Sequence, residues 1–420
     1  MLKIKKNTTF LYLFLFTGAF NDILRLGTTD LTLFRIMLPF AIVLTLFKSK
    51  KVRKLYLLTF GIAVVSFLQS LWFCEFNDIG IQFSTNRYIL YLFYYICIVA
   101  VIGSVLLIYE NDKCNFQKNF LKYIVIIGIG YLLIFMYIYL GNYSYSNTNI
   151  VINNYNDYGA MITAVLPVFY FISKNKGEFF FKIYIVTAII FLILNDCKLA
   201  LLGVIVQAAI IIYFEMGNRI GYRKWLIIPT ILAVLFFVFV ANSIDISLHG
   251  YTWKETIVEP IRLIIRGEMY AQSNTSVSFR VNIFVVSIHW ILKTKLLGIG
   301  VGNSGLLLRN ILGNYGLYDS WMNRNSVALH NVFMEILLEF GVIAVIGIVC
   351  IAKKVRSVLR KRKLEQIEIC FIAVIISSIL WGMAPSRITT DYQIIAILSF
   401  LLLSVSKCSV PSLNTNLKIK

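Results

Sequence analysis

The apolar residues of this chain run in blocks of about 17 to 22, the length that crosses a hydrocarbon core of about 30 Å at about 1.5 Å rise per residue. Such blocks fall near 8–24, 31–47, 55–73, 88–109, 120–140, 157–173, 180–195, 199–215, 225–242, 331–352, 367–384 and 392–406. The period-two alternation of a membrane barrel is absent from them, so helices are expected. The expected fold is an all-α polytopic membrane protein with about 12 transmembrane helices, read as one integral membrane domain over 1–420. Composition agrees: 59% of the residues are hydrophobic and 14% charged, with a mean hydropathy of +0.79, whereas a soluble domain carries roughly 25% charged residues. The first block follows Lys3, Lys5 and Lys6, but no small-residue cleavage site follows Phe20, so it is expected as a retained span.

A net charge of +20 would suit nucleic acid, so the placement of the basic residues decides its meaning. They cluster at Lys48–Lys54, Lys113–Lys122, Lys174–Lys182, Arg219–Lys224 and Lys353–Lys363. Threading twelve spans from an inside N-terminus puts every one of these clusters on the same side, as the positive-inside rule demands. Both termini are then cytoplasmic. The run KKVRSVLRKRK reads as a cytoplasmic stop that attracts anionic membrane lipids, and no nucleic-acid partner is expected. The seven cysteines have neither close pairs nor a nearby histidine at metal spacing, so neither a disulfide framework nor a metal is expected.

One connection is long. Residues 243–330 separate the ninth and tenth spans and are expected outside, forming a folded cap, since Trp253, Trp290 and Trp321 and many aliphatics argue against disorder. All three histidines lie there (His249, His289, His330), with eight basic residues, among them Arg280 and Arg324, against five acids. External cations oppose the positive-inside trend. They point either to an anionic substrate at the outer surface or to a solvated loop face with incidental charge.

The string ALHNVFMEILLEFGVIAVIGIV opens the tenth span. Asn331 is placed to cap the helix, and Asn331, Glu335 and Glu339 share one face at i, i+4, i+8. Glu339 would lie about 12 Å below the helix start, where a carboxylate is paired, protonated or beside a wet cavity. It is read as a buried partner of an arginine or hydroxyl, or as part of a catalytic group with His330. His330 likewise reads as an interfacial hydrogen-bonding residue or as a base. Upstream, Gly298, Gly300, Gly302 and Gly305 form a cluster that follows no predicted strand, so a nucleotide loop is not expected; a turn approaching a phosphate or a neighbouring helix fits. In NDCKLALLG, Lys198 either snorkels or binds an anion.

Four strings together resemble the O-antigen polymerase and O-antigen ligase superfamily: LHNVFMEILLEFGVIAVIG, Arg280 followed by Trp290 and LLGIGVGN, NYNDYGAMITAVLPV from Asn154, and NDCKLALLG. Lys198 stands where members usually have arginine, which keeps charge but loses the bidentate fork. The resemblance, closest to O-antigen polymerases, implies a GT-C-like membrane glycosyltransferase of the bacterial inner membrane, active on its periplasmic side. It would work without a cofactor on undecaprenyl-pyrophosphate-linked oligosaccharide and form O-antigen or capsule, with a chain-length regulator as a candidate partner. It assigns His330, Glu335 and Glu339 to catalysis, Arg280 and Lys198 to the pyrophosphate, and Asn156, Asp157, Asn331 and Arg324 to the substrate. An O-antigen ligase, which transfers finished polymer to a lipid A core, is the nearest alternative; a polysaccharide flippase is the alternative of another class.

Overall fold

The computed structural model describes residues 2–21, 24, 31–77, 80–140, 155–176, 179–195, 197–215, 247–248, 251–252, 259–267, 276–314, 331–361, 364–382 and 392–406. The regular elements among the described residues are helices apart from a hairpin of two-residue strands, in which Ser247 pairs with Thr252 and Leu248 with Tyr251. The helices are α1 (Leu2–Ala19), α2 (Leu33–Lys48), α3 (Lys50–Phe76), α4 (Thr85–Asn111), α5 (Phe116–Leu140), α6 (Tyr155–Lys176), α7 (Phe179–Leu194) and α8 (Lys198–Glu215). Beyond the hairpin come α9 (Glu259–Arg266), α10 (Ser276–Lys293), α11 (Ser304–Asn314), α12 (Val332–Phe340), α13 (Val342–Leu359), α14 (Gln366–Trp381) and α15 (Tyr392–Val405). Helix therefore occupies each predicted span except the ninth, 225–242, which lies outside the described residues.

Among the described residues, three helices are long and apolar enough to cross a membrane by length and composition: Lys50–Phe76, Thr85–Asn111 and Phe116–Tyr137. Shorter apolar helices lie at Phe179–Leu194, Leu199–Glu215, Asn282–Lys293, Gln366–Trp381 and Tyr392–Val405. Phe47 and Phe60 are 79% and 70% exposed, an apolar surface that suits hydrocarbon and that water would penalise.

The chain divides into two compact units. The first comprises residues 1–62, 92–211 and 354–420. Its core contains stacked aromatic rings among the aliphatics: Phe120 stacks on Phe400 at 4.6 Å, and Phe34 lies between Phe14 and Tyr392 at 4.8 and 4.5 Å. Several polar groups buried there are paired with one another, which offsets the cost of burying them. Gln207 Nε2 donates to the Thr163 carbonyl and to Ser377 Oγ, both at 2.9 Å, and Trp381 Nε1 donates to the same Ser377 Oγ at 2.9 Å. Glu365 and Glu368 form a reciprocal capping box at the start of α14.

The second unit comprises residues 63–91 and 212–353. Its core joins the end of α3 to α10, α11 and α12 through Phe73, Ile283, Val286, Trp290, Ile299, Leu307, Leu308 and Leu338. Trp290 meets Phe73 edge-on at 6.0 Å. Within 243–330 the described residues form the hairpin, α9, α10, the glycine turn and α11, and the segment VNIFVVSIHWIL is helical within α10. Trp253 and Trp321 lie outside the described residues.

Candidate active site

The predicted tenth span, 331–352, is not one continuous helix. It breaks at Gly341, where φ is 56° and ψ is −123°, a conformation open to glycine and strained for other residues. Upstream of the break, Asn331 caps α12 as its sequence position foretells: Oδ1 accepts from the Phe333 and Met334 amides at 3.1 and 3.2 Å. Asn331, Glu335 and Glu339 lie on one buried face of this helix, with Glu339 fully buried.

The break is made by the glycine cluster. Ile299 N–H donates to the Leu338 carbonyl at 2.9 Å and Gly300 N–H to the Glu339 carbonyl at 3.0 Å, while Val342 N–H donates to the Leu296 carbonyl at 2.7 Å. Backbone groups released by the interrupted helix are thus paired with the turn, which is how irregular backbone survives away from water. The approach tolerates no side chain at two positions. A Cβ on Gly341 would sit 2.1 Å from the Leu296 carbonyl oxygen, and one on Gly298 would sit 2.7 Å from that of Glu339. Of the two uses expected for the cluster, the structure displays close approach to a neighbouring helix.

Side chains fasten the turn on its other flanks. Ser66 Oγ accepts from Val301 N–H at 2.9 Å, Gln69 Nε2 donates to the Leu297 carbonyl, and Ser70 lies against Gly300. Asn303 Nδ2 donates to the Ile299 carbonyl at 2.7 Å, and Arg87 Nη2 donates to Asn303 Oδ1 at 3.3 Å. Glu339 completes the enclosure: its Oε1 accepts from Gly302 N–H at 3.0 Å and from the Ser304 hydroxyl at 2.6 Å. The short O–H···O contact has the length of a charge-assisted bond. Of the two partners read for Glu339, the hydroxyl is present, supplied by Ser304.

Of the residues singled out in the sequence, Asn331, Glu335 and Glu339 are brought together. Arg280 lies in α10, which packs on α12, although its side chain is outside the described atoms. His330 and Arg324 lie outside the described residues. Lys198 is the first residue of α8, and Asn156 and Asp157 open α6, all three in the first unit; Asp157 is buried and engaged. Sequence reading missed Ser66, Gln69, Ser70, Arg87, Asn303 and Ser304. The first three carried a usable signal, because hydroxyls and an amide at i, i+3 and i+4 of an apolar span mark a polar stripe with a partner.

No curated protein and no solved structure matches the chain. The family model of O-antigen ligases matches residues 183–349, from α7 to the first half of α13. That stretch contains Lys198, Arg280, the glycine turn, His330, Glu335 and Glu339. Over those residues the chain is similar to the O-antigen ligase family, which supports a place in the O-antigen polymerase and ligase superfamily of membrane enzymes.

Proposed function

We propose that this chain is a membrane glycosyltransferase that polymerises undecaprenyl-pyrophosphate-linked oligosaccharide repeats into a surface polysaccharide. We assign it twelve spans, a GT-C-like arrangement and an outward-facing 243–330 segment. The observation that carries the reading is the interrupted tenth span. Its Asn331-capped mouth follows His330 directly, and a buried carboxylate face runs down from it within the stretch that matches the family model.

In this reading the hydroxyl oxygen of the acceptor repeat attacks the anomeric carbon of the growing chain. The bond from that carbon to the pyrophosphate oxygen breaks, and undecaprenyl pyrophosphate leaves with the electron pair. His330 accepts the hydroxyl proton, a role imidazoles commonly fill, and Glu335, one helical turn into α12, orients it. Arg280 neutralises the departing pyrophosphate, where a planar guanidinium matches phosphate oxygens. Asn331 Oδ1 and Glu339 Oε1 already hold backbone amides, so both are assigned to positioning.

A second reading, transfer of finished polymer to a lipid A core, has the description of the matched family in its favour. Lys198, in place of the arginine usual in the superfamily, favours the polymerase. Purified full chain given only lipid-linked repeats is expected to yield a ladder of lipid-linked multimers. A product that forms only when lipid A core is added would establish the ligase instead, and no consumption of lipid-linked repeat with either acceptor would remove both readings.

A further inference from the structure

Arg87, the third residue of α4, has no carboxylate counter-charge among the described residues of the second unit. Its side chain lies along the glycine turn, with Cγ 3.3 Å from the position a Cβ on Gly302 would take. Nη2 donates to two neutral acceptors, the Gln82 carbonyl at 3.1 Å and Asn303 Oδ1 at 3.3 Å. Nη1 and Nε, which hold three of the five guanidinium N–H donors, have no protein partner among the described residues. No carboxylate pairs with Arg87 there either, and Glu339, which grips the same turn, spends Oε1 on Gly302 and Ser304.

A clamp on the turn does not need this residue. Asn303 is held independently by its bond to the Ile299 carbonyl at 2.7 Å, and the turn by its backbone bonds to α12 and by Ser66. Arg87 is half-buried, so its guanidinium is partly withdrawn from water with only neutral protein partners, which an anion would offset, and three donors on a fixed planar group suit phosphate oxygens.

We propose that Arg87 binds a phosphate oxyanion beside the glycine turn, that of the polyprenyl pyrophosphate donor. The inference rests on the glycosyltransferase reading for the identity of that donor. A phospholipid headgroup presents the same chemistry, so the test separates the two sources. Full-length protein in phosphatidylcholine nanodiscs is titrated with undecaprenyl pyrophosphate, with undecaprenol and, separately, with phosphatidylglycerol, and binding is read by native mass spectrometry.

Arg87→Gln, which keeps neutral donors for Gln82 and Asn303 but removes the charge, is expected to weaken undecaprenyl pyrophosphate binding by about 10- to 100-fold, the loss of one or two charge-assisted contacts. Undecaprenol binding should not change. Arg87→Lys, a folded reference should the glutamine variant aggregate, is expected to lose less because the charge remains. Wild-type pyrophosphate affinity in either variant overturns the proposal, and so does a loss confined to phosphatidylglycerol. If the wild-type chain polymerises repeats while Arg87→Gln binds donor normally, the inference fails and the functional reading stands. If Arg87→Gln loses pyrophosphate binding but the wild-type chain makes no polymer, the reverse holds.

Discussion

Glu339 and His330 are expected to do different work. Glu339 is fully buried with Oε1 bonded to Gly302 N–H and the Ser304 hydroxyl, so Glu339→Ala leaves a buried amide and a buried hydroxyl unpaired. Each unsatisfied group costs about 1–3 kcal/mol, and the expected result is a lower melting temperature with less folded protein. Glu339→Gln keeps an acceptor oxygen and should fold and retain most activity. His330 is expected to behave in the opposite way: His330→Ala and His330→Gln both fold, and both lose about 10²- to 10⁴-fold in polymer formed, the range of a general acid or base. Glutamine restores hydrogen bonding but not titration. Normal polymer from His330→Gln would move catalysis to leaving-group activation by Arg280, and an inactive but stable Glu339→Gln would move the proton role to Glu339. The shared face of Asn331, Glu335 and Glu339 was legible in the sequence because helical spacing fixes it. The partners of Glu339 were not, since they lie 37 and 35 residues upstream and are supplied by tertiary packing.

At the scale of elements, the break at Gly341 is the feature that sequence pattern conceals. LLEFGVIAVIG is evenly apolar, and a single glycine inside a helical pattern is ordinarily tolerated, so the stretch reads as one span. What divides it is a set of backbone bonds to residues 296–300, which only the folded chain brings near. Gly341 and Gly347 make a matched test, because they sit six residues apart in sequence and differ in surroundings. Alanine at 341 would meet the Leu296 carbonyl oxygen at 2.1 Å and adopt a positive φ, whereas nothing lies within 4 Å of a Cβ at 347, inside α13. Gly341→Ala is expected to destabilise by at least about 2 kcal/mol, through strain in the left-handed region plus steric overlap. Gly347→Ala should be neutral or stabilising by up to about 1 kcal/mol, from helix propensity. Thermal unfolding in detergent measures both, and equal melting temperatures for the two variants would mean that the glycine turn does not dock on the broken helix.

For the whole molecule, the pattern of basic clusters and the packing of the second unit can be compared as independent measures of depth. In the proposed twelve-span topology, the end of α3 and the start of α12 would lie on the outer side. Ser66 and Ser70, which meet the glycine turn, precede the last residue of α3 by ten and six residues, or about 15 and 9 Å along the helix. Glu339 follows the first residue of α12 by seven, about 10 Å. In that topology both helices would bring the turn to a similar level below their outer ends, and a segment that reads in sequence as part of an external loop would dip inward. The agreement requires both ends to face the same compartment. Reporter fusions after Asn314 and after Gln82 should both report the outer compartment, and a fusion after Lys363, within the basic run that follows α13, the cytoplasm. If Asn314 and Lys363 report one compartment, the helices between them do not cross the membrane once in net, and the outward placement of His330 falls with the twelve-span topology. If Gln82 and Asn314 differ, the membrane depths inferred for α3 and α12 lose their common reference, and the inward dip of the turn is excluded.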